Sequence, residues 1–95
     1  MRSNLQAIQL LESTHQFPGT YMFKAIGKNE NGFVARAVAA VRDELAEPID
    51  PPFSVREAAG GRHVSVTVTP SVQTPYQVLA VYRRMRTLAG LVMLW

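Results

Sequence analysis

The residues that could do chemistry fall into three groups. The first is the loop Gly27-Lys28-Asn29-Glu30-Asn31-Gly32, which joins a strand-like stretch to a helix-like one. Its glycines free the backbone, and the helix start beyond it offers unpaired N–H groups and the positive end of a dipole. Gly27, Lys28, Asn29, Asn31 and Gly32 are therefore the candidate ligand-binding residues, for a small molecule. The plainer alternative is a connecting loop with a capping asparagine. The second group is Arg83, Arg84 and Arg86, next to Tyr82. Arg83 and Arg86 are three apart and share a helix face. They could contact RNA or an acidic partner, or form an ordinary solvated face. The third group is His15 and His63. Neither has partners spaced for a metal site or a catalytic triad, so both read as structural or solvated. The chain has no cysteine, which removes disulfides, zinc–thiolate sites and cysteine nucleophiles.

The elements that must position these groups can be read in order. Residues 4–14 suit a short helix, with Asn4 as a cap and Leu5, Ile8 and Leu11 on one side. Phe17-Pro18-Gly19 is a turn signal. Thr20 to Gly27 reads as a central strand, with Tyr21, Phe23 and Ala25 on one face and Met22, Lys24 and Ile26 on the other. Phe33 to Leu45 is a strong helix, striped by Phe33, Val34, Ala37, Val38, Val41 and Leu45, with Asn29 or Asn31 as its cap. The prolines of Glu47–Pro52 stop it.

Phe53–Glu57 suits an edge strand, and Ala59-Gly60-Gly61 a hairpin turn. His63 to Thr69 alternates cleanly, with Val64, Val66 and Val68 on one face. Thr74-Pro75-Tyr76-Gln77 is a capping box with proline at the first helical position. The helix it opens carries Val78, Leu79, Tyr82, Met85 and Leu88 as its apolar stripe, and Gly90 is placed to end it. Leu91–Trp95 is a last strand, apolar on both faces.

The order strand, helix, strand, strand, helix, strand predicts an α+β, ferredoxin-like βαββαβ two-layer sandwich. Its four-stranded antiparallel sheet carries two helices on one face, with the first and third strands central. Residues 1–16 form an N-terminal helical extension and residues 17–95 the ferredoxin-like domain. The sheet face away from the helices holds Ser65, Thr67, Met22, Ile26, Val92 and Leu94, more apolar than a solvated face usually is. Cover by the N-terminal helix or by a second subunit is expected.

Several of these pieces together resemble a known family. Phe17-Pro18, Phe23-Lys24 with Ile26-Gly27, Ser65-Val66-Thr67-Val68, and a valine–tyrosine helix running into Gly90-Leu91-Val92-Met93-Leu94 resemble the YbeD-like family of small, uncharacterised bacterial proteins. The likeness spans residues 17–95. It implies a ferredoxin-like fold similar to ACT regulatory domains, and a regulatory or accessory role. It supplies no catalytic residue. ACT domains commonly bind amino acids near this first strand–helix loop, at a dimer interface, and Asn31-Gly32-Phe33 is similar in kind to their glycine-bearing loop. Acylphosphatases share the topology, and Gly27, Gly32 and Arg36 loosely echo their phosphate loop. The asparagine they need on the following hairpin is missing from Glu57–Arg62.

Composition narrows the function classes further. The net charge is +3, too small by itself to mark a nucleic-acid binder without a concentrated patch. No apolar run approaches the ~20 residues of a membrane span. The first residues run into a stretch broken by Gln6, Gln9 and Glu12, unlike a signal peptide. The expectation is a cytoplasmic, non-enzymatic regulatory or adaptor domain that binds a protein partner or a small metabolite, with homodimerisation open. No cofactor, metal or membrane partner is expected. Nucleic-acid binding through the arginine-rich second helix is the alternative, disfavoured because the third strand's outward face has no aromatic residue.

Overall fold

The computed structural model describes residues 4–95, so Met1 to Ser3 of the expected extension lie outside the described residues. The elements run α1 (Asn4–Thr14), β1 (Gly19–Thr20), β2 (Phe23–Lys28), α2 (Phe33–Glu44), β3 (Phe53–Glu57), β4 (His63–Val68), β5 (Ser71–Val72), α3 (Pro75–Met85) and β6 (Leu91–Leu94). The main sheet has the order β3-β4-β2-β6, antiparallel throughout. This is the ferredoxin-like α+β sandwich, with the first and third long strands central. α2 and α3 pack against each other, and α2 also packs on β4 and β2.

Alternation explains the core. Val64, Val66 and Val68 point to the helices and are buried, as are Phe23 and Ala25 opposite them on β2. The α2 stripe buries Phe33, Ala37, Val38, Ala40 and Val41, and α3 buries Val78, Val81 and Met85. No polar or charged residue is buried among the described residues. The core is thus built from apolar transfer alone, the dominant favourable term in folding.

The structure departs from the sequence expectation in five places. The strand expected over 20–27 is split. Gly19–Thr20 pairs with Ser71–Val72 in a separate two-stranded sheet, and Tyr21 donates to Pro70 O at 3.0 Å. The chain then changes sheet through Tyr21 and Met22 before β2 begins. Neither Asn29 nor Asn31 caps α2, because Gly32 holds the cap position at φ 67° with no side-chain bond. α3 stops at Met85 rather than near Leu88. Thr87 Oγ1 donates to Arg84 O at 2.7 Å and a short turn follows, the kind of local bond that competes with helix continuation. Gly90 (φ 87°) instead delivers the chain into β6, where its carbonyl accepts from Lys28 N at 2.9 Å. The capping box is also rewired. Thr74 Oγ1 accepts from Gln77 N, but the Gln77 side chain reaches Gln73 N, one residue further out.

The fourth departure concerns α1. It packs against α3, on the helix layer, with Ile8 buried and Leu11 against the core. It does not cover the open sheet face. The fifth is in β6. Ile26 pairs with Met93 and Ala25 with Leu94, but Gly27 pairs with Leu91, so Val92 is an extra residue. Such a bulge resets side-chain alternation. Leu91 and Leu94 both turn to the core, and Met93 takes the open face. Leu94 is therefore not an open-face residue.

An aromatic cluster ties α1's exit to α3. Tyr21 lies 4.9 Å from both the Phe23 and His15 rings, and Tyr82 stands edge-on to Phe23 at 5.0 Å. The Tyr21 and Tyr82 hydroxyls share a hydrogen bond of 3.3 Å. Burial, and then this bond, push the Tyr82 phenol well above the usual tyrosine range. The folded state therefore keeps a proton that the unfolded chain gives up near pH ~10. The stabilisation is complete below that pH and falls as pH rises above it. The urea midpoint is expected to drop between pH 8 and 11, and to drop less in Tyr82→Phe. Equal drops in both proteins would contradict this assignment.

Candidate functional site

The loop 27–32 can be judged residue by residue. Gly27 is buried, and a Cβ there would meet Phe33 Cε1 and Cζ at 2.3 Å. Its glycine is required by the Phe33 ring seated against the strand, not by a ligand. Asn29 donates through Nδ2 to Gly61 O at 3.0 Å and to Glu57 Oε1 at 3.3 Å. It latches the loop to the β3–β4 turn. Asn31 and Gly32 have φ of 53° and 67° and turn the chain into α2. Asn31 is less at ease there than glycine, though asparagine tolerates this region better than most residues. Arg36 holds the turn, with Nε donating to Asn31 O at 2.9 Å and Nη1 to Ala89 O at 3.0 Å. Its guanidinium lies 5.7 Å from the Phe33 ring centre. An arginine so engaged braces two loops together, which accounts for Arg36 without a phosphate.

Lys28 is the loop residue left exposed without a side-chain partner among the described residues. It stands between two surface cavities. One, of 410 Å³, adjoins Glu30, Asn31, Arg36 and Gly90, and the other, of 330 Å³, adjoins Asn29, Arg62 and His63. The five candidate ligand residues thus split into one packing glycine, one latch, two turn residues and one free cation.

The arginines of α3 split as well. Arg84 Nε donates to Glu44 Oε1 at 3.0 Å and joins α3 to α2. An exposed pair of this kind contributes ~0–1 kcal/mol. Arg83 and Arg86 are exposed and make no ion pair among the described residues. His15 rests on Tyr21 and shares a 2.9 Å hydrogen bond with Thr14 Oγ1. His63 is exposed, opposite Lys28 in the sheet. No group of three or more His, Asp or Glu among the described residues could hold a metal ion.

The surface that sequence reading only partly resolved is the open face of the main sheet. Register lays its side chains out in rows. Trp95, Lys24, Thr67 and Ser54 form one row, the Trp95–Lys24 pairing being made by backbone bonds of 2.6 and 2.8 Å. Met93, Ile26, Ser65 and Arg56 form the next. Met22 precedes the first row and Lys28 follows the second. Lys24 Nζ sits 5.2 Å from the Trp95 ring centre, within cation–π range. Met22 is 61% exposed, Met93 54% and Trp95 46%. A cleft of 390 Å³ lies on this face, walled by Lys24, Ile26, Arg56, His63, Ser65 and Trp95. A larger groove of 590 Å³ runs along Gln6, Gln9, Leu10 and Ser13 of α1. It is walled by a single helix, so it offers a ligand only one side. The cleft on the sheet has cations, an indole and an apolar floor converging from four strands, and it is the better candidate.

Comparison with known families supplies the remaining fact. A family model for a protein of unknown function, DUF493, matches residues 12–94. The chain belongs to that family. The match starts in the last turn of α1 and takes in both sheets, α2 and α3. Every residue of the open-face rows except Trp95 therefore lies inside the DUF493 region. No curated protein matches the chain.

Proposed function

We propose that this chain is a non-enzymatic binding domain with a regulatory or adaptor role, and that it meets its partner on the open face of the β3-β4-β2-β6 sheet. The observation that supports this reading is the uncovered face itself. Met22, Met93 and Trp95 stand half or more exposed beside Lys24 and Arg56, while α1 is occupied on the opposite layer. Exposed apolar residues grouped on one face mark interaction sites on soluble domains. The narrower YbeD-like likeness of residues 17–95, with its ACT-like regulatory character and a bacterial, cytoplasmic setting, is part of the same proposal. Fold analogy alone would be a weak warrant, and the weight here rests on the surface.

Benzoylphenylalanine placed at Met93, on the open face, is expected to crosslink to another molecule in cells, while the same group at exposed Ala35 on α2 is not. Crosslinks from position 35 alone, or from neither position, would sink the reading.

A further inference from the structure

The chemistry of the open face says what kind of partner fits it, given that this face is the contact surface. Its strand positions carry Lys24, Lys28 and Arg56, with His63 at the rim, and no Asp or Glu. None of these cations makes an ion pair among the described residues. Glu57 borders the cleft, but its Oε1 accepts from Asn29. Between and beside the cations stand Met22, Ile26, Met93 and Trp95. The surface is thus cationic and apolar at once.

Size narrows the occupant further. Four strands at ~4.8 Å spacing and three rows of side chains give a footprint only about 14 Å on a side. A stable globular interface takes ~800 Å² from each partner. The patch suits a short segment better than a second globular surface. A second copy is also opposed by charge, since a two-fold contact would set Lys24 and Arg56 against their own counterparts. A nucleic-acid strand would need stacking platforms, and the face offers a single indole. Methionine and isoleucine side chains instead fit aliphatic groups of varied shape.

We propose that the open face docks a short extended segment of a partner protein in which acidic residues alternate with apolar ones. Its carboxylates meet Lys24 and Arg56, and its apolar side chains lie on Ile26, Met93 and Trp95.

Trp95 is the only tryptophan of the chain, so its emission reports directly on this face. The probes are a peptide alternating Glu and Leu, its Lys–Leu counterpart, its Glu–Ser counterpart, and an oligouridine of equal length. The Glu–Leu peptide is expected to shift Trp95 emission and to bind at least about tenfold more tightly than the other three. Its affinity should fall with added salt. The double variant Lys24→Glu/Arg56→Glu is expected to reverse the preference toward the Lys–Leu peptide, with an unchanged melting temperature because both side chains are surface groups. Equal binding of the acidic and basic peptides, tighter binding of the oligouridine, a preference untouched by charge reversal, or a concentration-dependent dimer that shields Trp95 would each overturn the proposal. Crosslinking from Met93 without acidic preference would end this inference and leave the open-face reading standing. Absence of that crosslink would end both.

Discussion

Gly27→Ala is expected to destabilise the domain by about 2–3 kcal/mol, in the range of an overpacked core. At 4–8 °C per kcal/mol for a domain of this size, the melting temperature should fall by roughly 8–20 °C. The added methyl would stand 2.3 Å from two carbons of the Phe33 ring and 2.6 Å from a third. That ring is only 2% exposed and is flanked by Arg36, so it has little room to retreat. The same substitution in a Phe33→Ala background should cost much less, because the space is then vacant. Contacting residues typically couple by ~0.5–3 kcal/mol. A thermal melt of the four proteins in this cycle tests the claim. If Gly27→Ala melts like the parent chain, the glycine serves backbone freedom or ligand access instead, and the ligand reading of Gly27 regains its footing.

The second large effect is expected at Phe23. Its ring is fully buried and meets Tyr21 and Tyr82 at 4.9 and 5.0 Å. Phe23→Ala should cost about 3–5 kcal/mol from lost burial and the cavity left behind. The whole domain has roughly 5–14 kcal/mol available at ~0.05–0.15 kcal/mol per residue. The variant is therefore marginal, and Phe23→Leu, which keeps most of the volume, should lose less than half as much. Urea unfolding measures both, with an unchanged slope expected for each. A loss under about 1 kcal/mol for Phe23→Ala would mean that the aromatic cluster is not the anchor of this end of the core.

Local pattern carried much of the architecture. The alternation of Val64, Val66 and Val68 located the third long strand and its buried face, and Thr74-Pro75 located the start of α3. What stayed illegible depends on partners distant in sequence. Nothing near Thr20 announces that it will pair with Ser71, so the split between β1 and β2 was invisible. The stripe of α1 shows that Ile8 must be buried, but not that α3 rather than the sheet would bury it. Leu91-Val92-Met93-Leu94-Trp95 is apolar at every position, and a period-2 pattern cannot assign faces when both classes are the same. The candidate site was legible to the same degree. Gly27 stood out, but a glycine needed for φ and one needed for a close ring look alike in sequence. Only the packing of Phe33 separates them. Lys24 and Arg56 lie on different strands with thirty-two residues between their positions, and register alone makes them neighbours on one face.

The bulge at Val92 makes the last strand a matter of odd and even. Leu91 and Leu94 are three apart, so a regular strand would turn one of them inward and the other outward. One surplus residue lets both enter the core, and the same count sends Met93 and the indole of Trp95 outward. Parity, not composition, thus decides which way the indole faces. Loss of that single residue would leave a strand just as hydrophobic, yet one that could not seat both leucines in the core and keep Trp95 on the open face at once.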